Sequence, residues 1–299
     1  MMLSLDRQEA YRRRYAGMRP GWRPSSHVYR DLVAAHLTPA AHVLDLGCGR
    51  GGVMERLHPR AGFVAGLDLD LRSLREHRAP ALALSCGPAG TLPYVDSTFD
   101  LVCCSWVLEH LSEPARMFTE VARVLVPGGR FVFLTPNSRH PLPMFNQALR
   151  WSRGRLVDRF YDRAEADTFP AFYRANTPAR IEHLARAAGL KRLSLRFIGD
   201  PTYLAFNEPL FRLACLLERV MPRRMRVHLV GEYVLGQSVQ SVPVPATFAQ
   251  SARKRSSPTS VKGLRIIFCS TPKGTVMMSA PARSASTTCA VWRMLAAST

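Results

Sequence analysis

The run Val43-Leu44-Asp45-Leu46-Gly47-Cys48-Gly49-Arg50-Gly51-Gly52 constrains this chain more than any other. It reads as a buried strand entering a glycine-rich turn and then a helix. Such a turn brings bare backbone and a helix N-terminus up to a ligand. Asp45 stands just before the first glycine. A loop built only for a pyrophosphate does not want a negative charge there, whereas a loop for a ligand carrying an ammonium group does. Gly47, Gly49 and Gly52 satisfy the dinucleotide pattern GxGxxG. Asp45, Gly47, Gly49 and Gly51 satisfy D-x-G-x-G-x-G equally well. Asp68, closing a second apolar run, suits both, because a carboxylate there can bind two ribose hydroxyls. The loop and Asp68 alone leave NAD(P) and a nucleoside cofactor open.

The chain around this loop alternates short apolar runs with amphipathic stretches. Strands are expected at His42–Leu46, Phe63–Leu69, Ala81–Ser85, Phe99–Ser105, Arg130–Thr135, Leu190–Ile198 and Arg226–Leu235. Helices are expected around Val53–Leu57, Leu71–His77, Ser112–Leu125, Thr177–Ala188 and Glu208–Val220. Ser112 reads as an N-cap and Pro127-Gly128-Gly129 as a stop. Thr177, Pro178 and Gly189 read as cap, first helical residue and terminator. This order predicts an α/β, Rossmann-like, doubly wound and mostly parallel sheet of seven strands. Residues 1–40 read as an N-terminal helical segment and 41–236 as the main domain. Within it, 138–175 is too long and too aromatic for a connection, and is expected to be a helical insertion after the fifth strand, serving as a substrate lid.

Composition bounds the remaining readings. The net charge of +19 resembles a nucleic-acid signal. Residues 237–299, however, hold eight Lys or Arg and no acid, leaving +11 for the rest. A solvated arginine-rich surface accounts for that remainder, with peripheral membrane contact at Leu210–Met221 a less favoured reading. The tail reads as a disordered basic extension. Its abrupt onset suggests a frameshifted end altering the last strand. The seven cysteines form no CxxC pair and no cluster at zinc spacing, so no metal is expected. Cys103 and Cys104 are expected on opposite sides of one strand. No apolar stretch reaches a membrane span, and Met1 to Arg14 lacks a signal core, so a cytoplasmic location is expected.

Three further runs decide the cofactor: Leu92-Pro93-Tyr94-Val95-Asp96-Ser97-Thr98-Phe99-Asp100, then Ser105-Trp106-Val107-Leu108-Glu109-His110, then Val121 to Arg130 with its Pro-Gly-Gly. In this order the chain resembles the class I S-adenosylmethionine (SAM)-dependent methyltransferases, above all the type 11, ubiquinone/menaquinone-biosynthesis-like branch. The likeness covers about 40–136 closely and extends loosely to about 235. It implies SAM as cofactor. It also implies that Asp45 lies near the cofactor's amino group and that Gly47, Cys48 and Gly49 present backbone to it. Asp68 would hold the ribose, Leu69 cover the adenine, Ala89 donate its N–H to the ring, and Ser105 line the methionine side. One position departs. Many relatives carry Asp-Ala before the Leu-Pro, and Pro88-Ala89 stands there, so the side-chain acceptor for the adenine amino group is missing.

The acceptor is expected to be a small organic molecule methylated at oxygen. Carbon methylation of a quinone precursor, an inactive SAM-binding module and an NAD(P)-dependent oxidoreductase are the alternatives. His110, after the fourth strand, is the candidate base, with a structural role at the next helix as its rival. Tyr15, His140 and Tyr173 are the candidate acceptor residues. Ser105-Trp106-Val107-Leu108 is not the Asn/Asp-Pro-Pro-aromatic run of enzymes acting on amino groups of nucleic acid or glutamine, and no Pro-Cys loop is present. A nucleic-acid acceptor is therefore not expected. Oligomeric state is not legible.

Overall fold

A computed structural model of the chain describes residues 4–144, 169–236, 267–271 and 274–278. Two helices come first, α1 (Leu5–Met18) and α2 (Ser25–Ala34). Then β1 (His42–Leu46), α3 (Met54–Leu57), β2 (Phe63–Asp68), α4 (Leu71–Arg75), β3 (Ala83–Cys86), β4 (Phe99–Ser105), α5 (Pro114–Val124) and β5 (Leu125–Pro136) alternate. After the insertion follow α6 (Pro178–Ala187), β6 (Leu190–Ile198), α7 (Glu208–Val220) and β7 (His228–Leu235).

The strand order is β3-β2-β1-β4-β5-β7-β6. Strands β1 to β5 run parallel, and β7 is antiparallel to both β5 and β6. The chain winds outward from β1 through β3 and then returns to β4 on the other side of β1. The carboxyl ends of β1 and β4 therefore flank a topological switch point, where open α/β sheets bind ligands.

Alternation along each strand divides the core between two faces. Leu44, Leu46, Val102, Cys104, Phe131 and Phe133 face α5 and α6. Val43, Leu101, Cys103, Val132 and Leu134 face α2 and α3 with Tyr29, Val33 and Met54. Cys103 and Cys104 thus point to opposite sides, as the strand period requires. Helix α5 buries Met117, Phe118, Val121 and Val124 along one side. The Leu-Pro-Tyr-Val-Asp run is pinned to that helix. Arg123 donates to the carbonyls of Tyr94 (2.7 Å) and Leu92 (3.0 Å) and to Asp96 (2.8 Å), while Glu120 accepts the Leu92 N–H at 2.7 Å.

Several boundaries differ from expectation. The last strand is not altered: β7 ends at Leu235, ahead of the composition change, and pairs fully with β5 and β6. Ser112 does not cap α5. Pro114 opens that helix after Glu113, whose side chain makes no cap bond. Strand β5 starts at Leu125, because Leu125 already pairs with Phe99 and the Pro-Gly-Gly turn falls inside the strand as a register shift. Helix α4 stops at Arg75, while Asp70 caps it through the N–H groups of Arg72 and Ser73. Thr177, Pro178 and Gly189 (φ 80°) take the expected positions around α6. Residues 145–168, most of the expected lid, lie outside the described residues. So does the tail, apart from a two-stranded antiparallel ribbon, β8 (Ile267–Thr271) with β9 (Gly274–Met278).

Candidate functional site

Asp45 is the penultimate residue of β1, on the α2 face, and is buried. Its Oδ1 lies 3.7 Å from the Cys103 thiol, and the carboxylate also accepts the Met54 N–H. Among the described residues its Oδ2 has no hydrogen-bond partner. That oxygen sits under the glycine loop, where a Cβ on Gly52 would lie 3.0 Å from it. Burial pushes the carboxyl up to about 7, and the nearby Asp68 adds to the rise. A buried carboxylate oxygen left unpaired is costly, and a ligand ammonium would satisfy it.

The loop above is built on positive φ at Gly47, Gly49, Gly51 and Gly52. Its first N–H groups are anchored to β2: Gly47 and Cys48 donate to the Leu67 carbonyl at 2.7 and 3.2 Å. Cys48 is buried against Gly66, and its thiol is pushed up by burial. Asp68 follows at the end of β2. It accepts the Gly49 N–H and the Asp70 N–H, each at 2.8 Å. The loop and the acid are therefore one hydrogen-bonded unit. Leu69, next in sequence, is 63% exposed, a flat apolar surface beside a polar loop. The Gly87 N–H donates to the Asp68 carbonyl (2.9 Å), and a turn closed from Thr91 N–H to Pro88 carbonyl (3.2 Å) holds Ala89. Asp45, Gly47, Cys48, Gly49, Asp68, Leu69 and Ala89 are thus joined through β1, β2 and β3.

Ser105 ends β4 across the switch point. Trp106 follows with φ 58°, unusual for a bulky residue, and its N–H donates to the Leu134 carbonyl at 2.9 Å. Strained backbone of this kind clusters at functional sites. His110 Nδ1 is 3.0 Å from the Pro170 carbonyl. A carbonyl only accepts, so Nδ1 carries the proton and the neutral ring has its lone pair on Nε2. Tyr173 (φ 53°) is tied to the same turn, because its N–H and that of Phe172 both donate to the Glu109 carbonyl, at 3.0 and 2.7 Å. The structure therefore brings His110 and Tyr173 together at one rim.

His140 is buried, with its ring pushed down to about 4 by desolvation. Its Nδ1 accepts the Leu142 N–H at 3.1 Å, which leaves Nε2–H as a donor. It lines a cavity of about 370 Å³ with Leu142, Tyr203, Leu217 and Met221. Tyr15 is not brought to this rim as a ligand contact. Its ring is buried edge-on to Trp22 (4.9 Å) in a satellite core with Phe211.

Sequence reasoning missed two polar networks. In one, Thr135 Oγ1 donates to buried Glu109 (3.0 Å) and accepts from Asn176 Nδ2 (2.6 Å). It ties the return from the insertion to β4 and β5. In the other, His228 meets Ser25 Oγ at Nδ1 and Tyr203 Oη at Nε2, both at 2.9 Å, with Trp106 edge-on at 5.1 Å. Burial pushes His228 down to about 4. Its partners come from three distant parts of the chain, so no local pattern announces them.

A mostly parallel sheet with an acid-preceded glycine loop at its switch point defines a class of α/β domain that binds a nucleoside-bearing ligand at its carboxyl edge. A profile of the methyltransferase-domain family matches residues 44–133. The demethylmenaquinone methyltransferase of Symbiobacterium thermophilum is 32% identical over 186 residues, 54% of this chain and 73% of that enzyme. That of Lactiplantibacillus plantarum is 33% identical over 44% of this chain and 60% of its own length. The ubiquinone biosynthesis O-methyltransferase of Coxiella burnetii is 31% identical over 32% and 44%. The chain thus spans less than two thirds of some of these relatives. The geranyl diphosphate C-methyltransferase of Streptomyces coelicolor shares the fold, at 14% identity and a TM-score of 0.50, over 70% of this chain and 77% of that one.

The chain belongs to the class I SAM-dependent methyltransferases. That membership makes SAM the cofactor and sets the dinucleotide reading aside.

Proposed function

We propose that this chain transfers the methyl group of SAM to a hydroxyl oxygen of a small organic acceptor. The observation that carries the reading is Asp45, whose buried, unpaired Oδ2 under the loop complements an ammonium group. When bound, SAM supplies a methyl group already activated on its sulfonium. Asp45 holds the amino group, and the backbone of Gly47, Cys48 and Gly49 surrounds the methionine part. Asp68 keeps a second lone pair on each oxygen for the ribose hydroxyls. Leu69 covers the adenine, Ala89 N–H donates to its ring, and Ser105 faces the acceptor side.

Alignment of the acceptor supplies much of the rate, and a base adds about 10²–10⁴. His110, held at this rim by the Pro170 carbonyl, takes the hydroxyl proton. His140 is a neutral donor that orients the acceptor and does not deprotonate it. Tyr173 packs at the same rim. For Tyr15 only an indirect role through the N-terminal helices fits its packing. A His110→Ala variant is expected to lose about 10²-fold in kcat, with SAM affinity by calorimetry unchanged. An unchanged kcat removes His110 as the base.

Carbon methylation of a quinone precursor is the second reading, favoured by the names of the demethylmenaquinone methyltransferases this chain resembles. Labelled methyl transfer from SAM to a metabolite extract tests both, since the carbon chemical shift of the product separates an ether from a C-methyl. No transferred label, with SAM still bound, marks an inactive SAM-binding module.

Pro88 gives a prediction of opposite sign. Pro88→Asp restores a carboxylate beside the adenine amino group. One such hydrogen bond contributes about 0.5–1.5 kcal/mol, so SAM should bind about 2- to 10-fold more tightly by calorimetry. No gain, or a loss, means that the amino group is received elsewhere.

A further inference from the structure

Helix α7 is apolar on two sides. Phe211, Ala214, Cys215 and Glu218 are buried, and Phe211 and Cys215 pack toward α1 with Tyr15 and Tyr11. On the opposite side Leu210, Leu213, Leu216, Leu217 and Val220 are exposed, Val220 by 73%. At 100° per residue these five fall within a stripe about 120° wide. Surface helices normally present a polar face there, so the stripe needs an occupant.

The surrounding charge says which. From Glu208 to Arg226 the sequence holds five arginines and two acids: Glu208, which pairs with Arg212 at 2.7 Å, and Glu218, which is buried. Arg212 and Arg219 lie on the helix between the stripe and the buried face. Arg223 and Arg224 follow in the turn after Met221, which has no buried residue. An apolar stripe rimmed by arginines is complementary to an anionic lipid surface: leucines enter the acyl boundary while guanidinium groups meet phosphates. A second copy of this chain would bring two arginine rims together and repel. At 13 residues α7 is too short to span a bilayer, and no helix among the described residues is long and apolar enough to do so. It lies in the interface plane.

We propose that α7 docks this protein peripherally on anionic membranes through Leu213, Leu217 and Val220, with Arg219, Arg223 and Arg224 on the headgroups. Leu217 also lines the cavity shared by His140 and Tyr203, so the cavity stands beside the docked face. The docking surface stands on α7 alone and needs no particular acceptor.

Sedimentation of the full chain with phosphatidylcholine vesicles, with and without phosphatidylglycerol, tests it and requires neither SAM nor methyl transfer. Binding is expected only with phosphatidylglycerol and is expected to fall with salt. The pair Leu213→Ser and Val220→Ser should lower it at least about tenfold, with circular dichroism and SAM affinity unchanged. A Leu216→Trp reporter should shift to the blue and be quenched by brominated lipid. Equal binding by the parent and the double variant would assign binding to the basic tail and overturn the proposal. So would absence of binding, or a vesicle-free dimer that the double variant abolishes.

Discussion

Replacing Asp45 by Asn is expected to stabilise the ligand-free protein at mildly alkaline pH and to weaken SAM binding by about a hundredfold or more. Both effects have one origin. Burial raises the carboxyl from 3.8 to about 7 in the folded protein. Below the unfolded value both states are protonated and the group costs nothing. As pH rises from the unfolded value through about 7 the unfolded state gives up its proton first, and stability is lost progressively until the buried group also ionises. Raising the carboxyl that far is worth roughly 4 kcal/mol once both states are ionised. An asparagine keeps an oxygen for the Met54 N–H and removes the charge. At roughly 2–4 °C per kcal/mol for a domain of this size, the midpoint should rise by about 8–16 °C. Against that gain stands the lost partner of the cofactor's ammonium. Leaving such a charge in a dry site without its counter-ion costs about 3–5 kcal/mol. In the parent, SAM affinity should also fall as pH drops below about 7, since the carboxyl must lose its proton to meet the ammonium. Scanning calorimetry and titration calorimetry across this pH range read both. A variant with unchanged midpoint and unchanged affinity would reduce Asp45 to a cap on the Met54 backbone.

The parts of this site that were legible in the sequence are those that one strand and its following turn determine. Asp45 with its glycines, and Asp68 at the end of β2, are fixed by local spacing, and the parallel register of β1 with β2 then brings Gly49 N–H to Asp68. Helix α6 was legible for the same reason: Thr177, Pro178 and Gly189 each act within a turn. What escaped depends on contacts distant in sequence. His228 opens an apolar strand and looks like an ordinary edge residue, until the β5-β7-β6 order sets it beside Trp106, Tyr203 and Ser25. Tyr15 shares the aromatic character of an acceptor contact, yet Trp22 and Phe211 consume its ring. The exposed stripe of α7 shows the converse. Its residues read as an amphipathic helix beside a sheet, and only the structure separates the leucines that meet the core from those that meet solvent. Strand β7 was expected to suffer from the foreign composition after it, but its hydrogen bonds are complete by Leu235.

Gly47→Ala should remove SAM binding almost completely, and the reason can be divided by a second substitution. Gly47 sits at φ 77°, and a Cβ built there would lie 2.1 Å from Val107 Cγ2. The first term is backbone strain of about 1–2 kcal/mol for an L-residue in this region. The second is steric and larger. Val107 precedes the turn that carries His110, whose N–H donates to the Val107 carbonyl at 2.9 Å. Relief by moving Val107 would therefore shift the candidate base, while relief by moving residue 47 would pull its N–H from the Leu67 carbonyl. Either way the loop and the acceptor rim lose their relative position. Overpacking of this kind costs about 1–3 kcal/mol, so the variant should fall by about 2–5 kcal/mol in stability, a large share of the 5–15 kcal/mol typical of a domain. Gly47→Ala combined with Val107→Ala removes the clash and keeps the strain. The double variant should recover most of the stability and bring SAM affinity back to within about tenfold of the parent, since only the strain of roughly 1–2 kcal/mol remains. Failure of this rescue, measured by denaturant unfolding and SAM titration together, would show that Gly47 is needed for the approach of its own backbone to the cofactor, a requirement that no space made at Val107 can meet.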